Sequence, residues 1–221
     1  MGWPKLLVLV RHAESEGNTK TVEERTAFEV STHAYDLTPR GREQARITGE
    51  YLRRTYGDFD TYYSSYYKRA KETLRIMYPE PRHFEDSRLA EGQRGIWHIM
   101  TTDEVAKIFP KEAARKNREG LYHHRPLGGE NWADIELRIH SFLGTLARDG
   151  DGQKVLVVVH GHWLILFQRL IHHFCIDEAE RRYRGGVFGN ASVTVYNGIE
   201  RDGKPRLVLE KENILPWEGK I

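Results

Sequence analysis

Two stretches of the chain are unbroken runs of valine and leucine alone, Leu-Leu-Val-Leu-Val at 6–10 and Val-Leu-Val-Val-Val at 155–159. Runs this short, branched and unbroken predict strands buried on both faces. Between them the pattern shifts to helical spacing. Thr38-Pro39 supplies an N-cap and a first helical residue. The helix runs to about Thr55, with Ala45, Tyr51 and Leu52 on one face. Residues 59–65 are aromatic and β-branched and predict a second strand. A helix over 66–77 and a short strand at 83–85 follow. A long helix spans about 131–149, with Ile135, Ile139, Phe142, Leu143 and Leu146 keeping its apolar stripe. After the strand at 154–159 come a helix at 163–174 and strands at 191–196 and 206–210. An Asn197-Gly198 turn separates the last two. Residues 13–35 are polar and mixed, and predict a loop or short helix crossing the top of the sheet. Residues 86–130 break the rhythm; they are charged, with one amphipathic piece at 102–108, and read as a cap inserted over the sheet. Alternating strands and helices with short connections make this an α/β protein: a three-layer α/β/α domain over 1–221 with a mostly parallel central sheet and a cap at about 86–130.

Both apolar runs end at a histidine, the first in Arg11-His12 and the second in His160-Gly161-His162. In open α/β sheets, ligand sites lie beyond the carboxyl ends of the strands. Arg69 sits in the first turn of the helix that follows the second strand. If these three strands are neighbours, Arg11, His12, Arg69 and His160 meet at one sheet edge. Taken singly, a histidine at a strand end is an ordinary hydrogen-bonded core residue and a first-turn arginine is ordinarily solvated. Together, two guanidiniums and two imidazoles suit a dianionic phosphoryl group, because guanidinium is always charged and its forked donors match phosphate oxygens. Backbone N–H groups at the following helix N-terminus would add to the field.

Composition narrows the classes. Of 221 residues, 39% are hydrophobic and 30% charged, and the net charge is only +2, so no strongly basic nucleic-acid footprint is present. The single cysteine, Cys175, permits neither an internal disulfide nor a thiolate metal cage, and reads as a small core residue. No apolar run is long enough for a signal peptide or a membrane span, which makes a reducing cytoplasmic setting the default. The partner expected is a small phosphorylated substrate, without nucleic acid or membrane, and the sequence leaves room for an oligomer. A different class stays open. His160 and His162 could place two imidazoles on one face as metal ligands, with His123-His124 and His172-His173 to recruit, giving a metal-dependent hydrolase.

The order of motifs resembles the histidine phosphatase superfamily, the branch containing cofactor-dependent phosphoglycerate mutases. Leu9-Val10-Arg11-His12-Ala13-Glu14-Ser15 with Asn18 is similar to its signature. Ser64-Ser65 before Arg69-Ala70 is similar to its second motif. Leu89-Ala90-Glu91, with Gly95 and Trp97, matches the segment carrying the acid/base glutamate. Gly128-Gly129-Glu130, Val159-His160-Gly161 and Asn190-Ala191-Ser192 follow in the same order. The resemblance implies a phosphoglycerate-mutase-like fold and His12 as nucleophile, forming a phosphohistidine. Arg11, Arg69 and His160 would hold the phosphoryl oxygens, with Asn18, Gly161 and His162 on the substrate, and Glu91 would serve as proton donor and acceptor. No metal or cofactor is implied. Glu14 and Ser15 read as loop-orienting, and Glu130 as either structural or functional.

The chain also departs from the mutases. Gly17 stands where they carry a Trp, and His162 where they carry an Asn. Lys116, Arg118 and Arg125 supply no adjacent arginine pair in the cap region. These departures favour hydrolysis of phosphomonoesters, with a cofactor-dependent phosphoglycerate mutase as the alternative.

Overall fold

In a computed structural model that describes residues 2–221, six strands form one mixed sheet flanked by ten helices. The elements run β1 (Leu6–Arg11), α1 (Glu16–Thr19), α2 (Val22–Thr26), α3 (Pro39–Tyr56), β2 (Thr61–Ser65), α4 (Lys68–Met77), β3 (His83–Asp86), α5 (Ile96–Ile99), α6 (Thr102–Ile108), α7 (Pro110–His123), α8 (Trp132–Asp149), β4 (Lys154–Val159), α9 (Gly161–His172), α10 (Ile176–Arg184), β5 (Val193–Arg201) and β6 (Lys204–Ile214). The sheet order is β3-β2-β4-β1-β5-β6. The pairings among β3, β2, β4 and β1 are parallel, and those of β5 are antiparallel.

The apolar runs occupy the sheet centre for a physical reason. β1 and β4 have strands on both edges and helices on both faces, so every side chain from Leu7 to Val10 and from Val155 to Val159 is buried. Alternation splits them between two cores. Leu7, Leu9, Val155, Val157 and Val159 pack with Ile135, Ile139 and Phe142 of α8 and Leu164 and Phe167 of α9. Val8, Val10, Leu156 and Val158 pack with Leu52 of α3 and Leu74 and Met77 of α4. Each fully buried aliphatic side chain contributes roughly 1.5–3 kcal/mol.

Register aligns the ends of the central strands. Arg11 pairs with Val159, and Ser64 with Val158. The three parallel strands β1, β4 and β2 therefore stop at one level, where Arg11-His12, His160 and Ser65 emerge. The turn after His12 is pinned from below. The amide of Ala13 donates to Thr73 Oγ1 of α4 (3.0 Å), and that of Glu14 to Gln44 Oε1 of α3 (2.9 Å). Thr38 caps α3, accepting from Gly41 N (2.9 Å), and its hydroxyl donates to Glu14 Oε1 (2.7 Å). A Cβ at Gly41 would lie 1.9 Å from the Glu14 carbonyl, so only glycine lets α3 abut this turn.

Several expectations need correction. The hairpin turn is Asp202-Gly203, with φ of 55° and 68° as a two-residue type I′ turn requires, and Asn197-Gly198 lies inside β5. Gly198 is there because its α-carbon packs against Pro4, whose carbonyl a Cβ would meet at 2.1 Å. Cys175 is exposed at the N-cap of α10 rather than buried. Helices α7 and α10 went unread because both are dominated by charged residues. α9 begins at Gly161, two residues earlier than expected, which makes His160 its N-cap.

Candidate active site

A cavity of about 430 Å³ opens where β1, β4 and β2 end. His12 lies at its floor, 3% exposed, and His160 is packed behind it, 0% exposed and outside the cavity lining, with ring centroids 5.1 Å apart. Arg69, from the first turn of α4, is 7% exposed and bonds to both: Nε donates to His12 Nε2 (3.1 Å) and Nη2 to His160 Nδ1 (3.2 Å). Its Nη1 donates to the Thr32 carbonyl (2.7 Å). Arg11 donates to the Phe188 carbonyl, and its Nε is buried without a partner. Gly161 leaves the space against which the Arg11 guanidinium lies.

These bonds define both tautomers. A carbonyl oxygen can only accept, so His12 Nδ1 carries the proton it donates to Ala13 O (2.7 Å). His12 Nε2 then presents its lone pair to the cavity side, where Arg69 meets it. Guanidinium can only donate, so His160 Nδ1 accepts and its Nε2–H donates to Ser65 Oγ (2.9 Å). Both imidazoles are held neutral. Burial, then the charges of Arg69 and Arg11, push the His12 pKa well below its ordinary value; burial, Arg69, His12 and Arg11 do the same at His160. Burial also lowers the pKa of both guanidiniums, and neither makes an ion pair among the described residues. Arg69 is buried and Arg11 half-buried, and the nearby Glu91 carboxylate offsets only part of their charge, which leaves a positive potential for an anion to fill.

The remaining expected residues take distinct places. Glu91 lines the cavity, its Oε1 accepting from Gly92 N (3.0 Å). Its loop is clamped by Arg138 of α8, which donates to the carbonyls of Arg88 (2.9 Å), Ala90 (2.7 Å) and Glu91 (3.3 Å). Glu130 holds Arg138 in that position (2.8 and 3.0 Å) and also accepts from Gln93 N (3.0 Å), so its contacts are structural. Asn18 lines the cavity and is bridged to the His12 carbonyl by Asn190, whose Nδ2 donates to both (3.3 and 3.1 Å).

His162 does not join His160. Its ring lies between Trp132 (4.7 Å) and Tyr183 (4.9 Å), with Nδ1 4.0 Å from Glu91. His160 instead faces Arg69 and Ser65, so the two rings do not converge. Among the described residues no three His, Cys, Asp or Glu side chains are placed to hold a metal ion together.

Burial, as the leading cause, lowers the His162 pKa to about 4. The folded form is thus neutral where an unfolded histidine, with a pKa near 6.5, takes up a proton. Stability is complete above pH 6.5 and is lost as pH falls from 6.5 towards 4, by about 3 kcal/mol from this residue. Urea unfolding at pH 7.5 and pH 4 is expected to show this loss, and His162→Asn to remove that share of it.

Sequence reasoning missed several residues of the cavity wall, four of them large polar side chains. Tyr35, Arg25, Arg94 and Tyr183 all line it. Tyr35 fills the space beside Gly17, where a Cβ would lie 2.5 Å from its ring. Periodicity gives no sign of these residues, because each reaches the cavity by a loop or short helix. By contrast Lys116 stacks on Trp97 (3.7 Å) and Arg125 pairs with Asp134; neither lines the cavity.

This geometry belongs to a known class. The family model of the histidine phosphatase superfamily (branch 1) matches residues 7–211, and the chain belongs to that family. Its members are phosphatases or mutases. The chain is 31% identical over 157 residues to phosphoserine phosphatase 1 of Hydrogenobacter thermophilus, covering 70% of each protein. It is 34% identical over 167 residues to a 2,3-bisphosphoglycerate-dependent phosphoglycerate mutase of Methylobacterium radiotolerans, covering 72% of this chain and 76% of that protein. Among solved structures, the alpha-ribazole phosphatase of Shigella flexneri shares its fold, with a TM-score of 0.72 at 22% identity, covering 95% of this chain and 96% of that one. No helix among the described residues is long and apolar enough to cross a membrane.

Proposed function

We propose that the protein is a metal-independent phosphatase that hydrolyses phosphomonoesters through a phosphohistidine on His12. The observation that carries this reading is the neutral His12, its Nε2 lone pair facing the Arg69 guanidinium, with Arg11 lining the same cavity and neither guanidinium in an ion pair among the described residues. In the first half-reaction Nε2 attacks phosphorus in line. The N–P bond forms, the P–O ester bond breaks, and the departing oxygen takes a proton from the Glu91 carboxyl group. Arg11 and Arg69 stabilise the charge on the equatorial oxygens, with Asn18 and the N–H groups of Gly161 and His162 at the start of α9, while His160, which the resemblance put on the phosphoryl oxygens, acts through Arg69 by fixing its guanidinium. The phosphorylated ring is a cation whose Nδ1–H stays on Ala13 O. In the second half-reaction Glu91 takes a proton from water, the water oxygen attacks phosphorus, and the N–P bond breaks. Inorganic phosphate leaves and His12 is neutral again. The segment at about 86–130 acts as the cap, supplying Glu91 and one wall.

The mutase alternative draws on the phosphoglycerate mutases among the relatives. Against it stands Gly17, whose space Tyr35 fills. The two are separated by incubating 3-phosphoglycerate with enzyme, bisphosphoglycerate and excess chelator. Release of inorganic phosphate that outpaces isomerisation is expected; isomerisation outpacing it would make the protein a mutase. Activity lost to chelator and restored only by metal would instead favour a metal-dependent hydrolase using His160 and His162.

A further inference from the structure

The charge lining the cavity exceeds what one phosphoryl group neutralises. Arg11, Arg25, Arg69 and Arg94 line it, and Glu91 is the one carboxylate among its lining residues. A phosphoryl dianion set against Arg11 and Arg69 leaves Arg25 and Arg94 as the two further cations of the lining. Arg25 is engaged, donating to the carbonyls of Gly17 (3.1 Å) and Lys20 (3.2 Å). The Arg94 side chain makes no hydrogen bond or ion pair among the described residues. Its neighbours His98, Lys116 and His162 are basic groups whose pKa its charge helps to lower.

The backbone around Arg94 is held rigidly even though its side chain is free. Gln93 N donates to Glu130 Oε2 (3.0 Å), and Gln93 O accepts from Glu130 N (2.9 Å). The Gln93 side chain donates to Tyr67 OH (2.6 Å), and Ile96 N to Leu127 O (3.0 Å). Gly95 takes a φ of 52°, and a Cβ there would lie 2.1 Å from Leu127 O. An exposed guanidinium without a partner, carried on a pinned loop three residues after Glu91 and lining the same cavity, is available to an anionic group of the bound ester.

We propose that Arg94 is a specificity-determining residue that selects phosphomonoesters whose alcohol portion carries a second negative group, a carboxylate or a further phosphate. This rests on the phosphomonoesterase reading above and names its substrate class. An anionic leaving group places its charge on Arg94, whereas a neutral one leaves that cation facing water.

Matched pairs test it. 3-Phosphoglycerate and glycerol 3-phosphate differ by a carboxylate against a hydroxymethyl group. Propane-1,3-diyl bisphosphate and 3-hydroxypropyl phosphate differ by the second phosphate. The wild type is expected to favour the anionic member of at least one pair tenfold or more in kcat/KM, and the pair that responds identifies the group. Arg94→Gln is expected to reduce that ratio to below threefold, and Arg94→Lys, which keeps the charge, to retain most of it. The same ratio is read without turnover from equilibrium binding of the intact esters to His12→Ala. Equal use of both members of both pairs, or a ratio that Arg94→Gln leaves intact, overturns the assignment. Hydrolysis of all four esters without preference removes this inference alone. A tenfold binding preference without hydrolysis of any ester removes the phosphatase reading and keeps the inference.

Discussion

Replacing His12 by alanine is expected to lower hydrolysis of an aryl phosphate by at least about 10⁴-fold, the scale seen when a covalent nucleophile is removed. The expectation follows from the imidazole's geometry. Its Nδ1–H is committed to Ala13 O, so Nε2 is the nitrogen that carries the lone pair, and an incoming phosphoryl group takes the place of that lone pair's contact with Arg69. His160 cannot substitute, because it is fully buried and does not line the cavity. Because burial and the two arginines hold His12 neutral well below pH 6.5, the acid limb of kcat/KM is also expected below that value. Quenching the wild type during turnover should trap protein-bound phosphate that is labile to acid and stable to alkali, as a phosphoramidate is. An alanine variant that folds, by circular dichroism and melting, yet keeps its activity would remove His12 from the mechanism.

Arg69→Met is expected to cost about 10³-fold in kcat/KM while leaving the melting temperature at pH 7.5 no lower than that of the wild type. The activity loss is that of a donor aimed at developing transition-state charge. The stability expectation has a different origin. Arg69 is buried without an ion pair, and its three hydrogen bonds and the charge of Glu91 offset only part of the desolvation cost that methionine removes. Arg69 also lowers the pKa of His12 and His160. In the variant those values rise towards 6.5, so less stability is lost as pH falls below 6.5, and the variant's advantage should grow in acid. Melting curves at pH 7.5 and pH 5, with initial rates, check both halves. A variant that melts well below the wild type at both pH values would show that Arg69 serves mainly to hold the fold.

Much of the fold was legible because its signals are local. The runs Leu6–Val10 and Val155–Val159 are apolar whatever their partners, and Thr38-Pro39 starts a helix by its own cap and fixed φ. The misread pieces depended on distant contacts. Asn197-Gly198 has the composition of a turn, but Pro4 packs there and the strand continues. Cys175 lies in an apolar stretch, yet it caps α10 in solvent. α7 and α10 are too charged for periodicity alone to reveal them.

The sequence by itself determined that two buried strands end in Arg-His and His-Gly, and that an arginine follows a third. That is enough to pose a phosphoryl site, because guanidinium and imidazole chemistry does not depend on position in the chain. Only the tertiary structure decided which nitrogen of His12 is free, since that depends on Ala13 O and Arg69 lying on opposite sides of the ring. It also decided that His162 turns away from His160 towards Trp132 and Tyr183, and that Arg94 reaches the cavity while Lys116 and Arg125 do not. Strand ends are set by the period of the chain. The side chains around a cavity are set by which loops pack over it, and that packing is written in contacts between residues far apart in sequence.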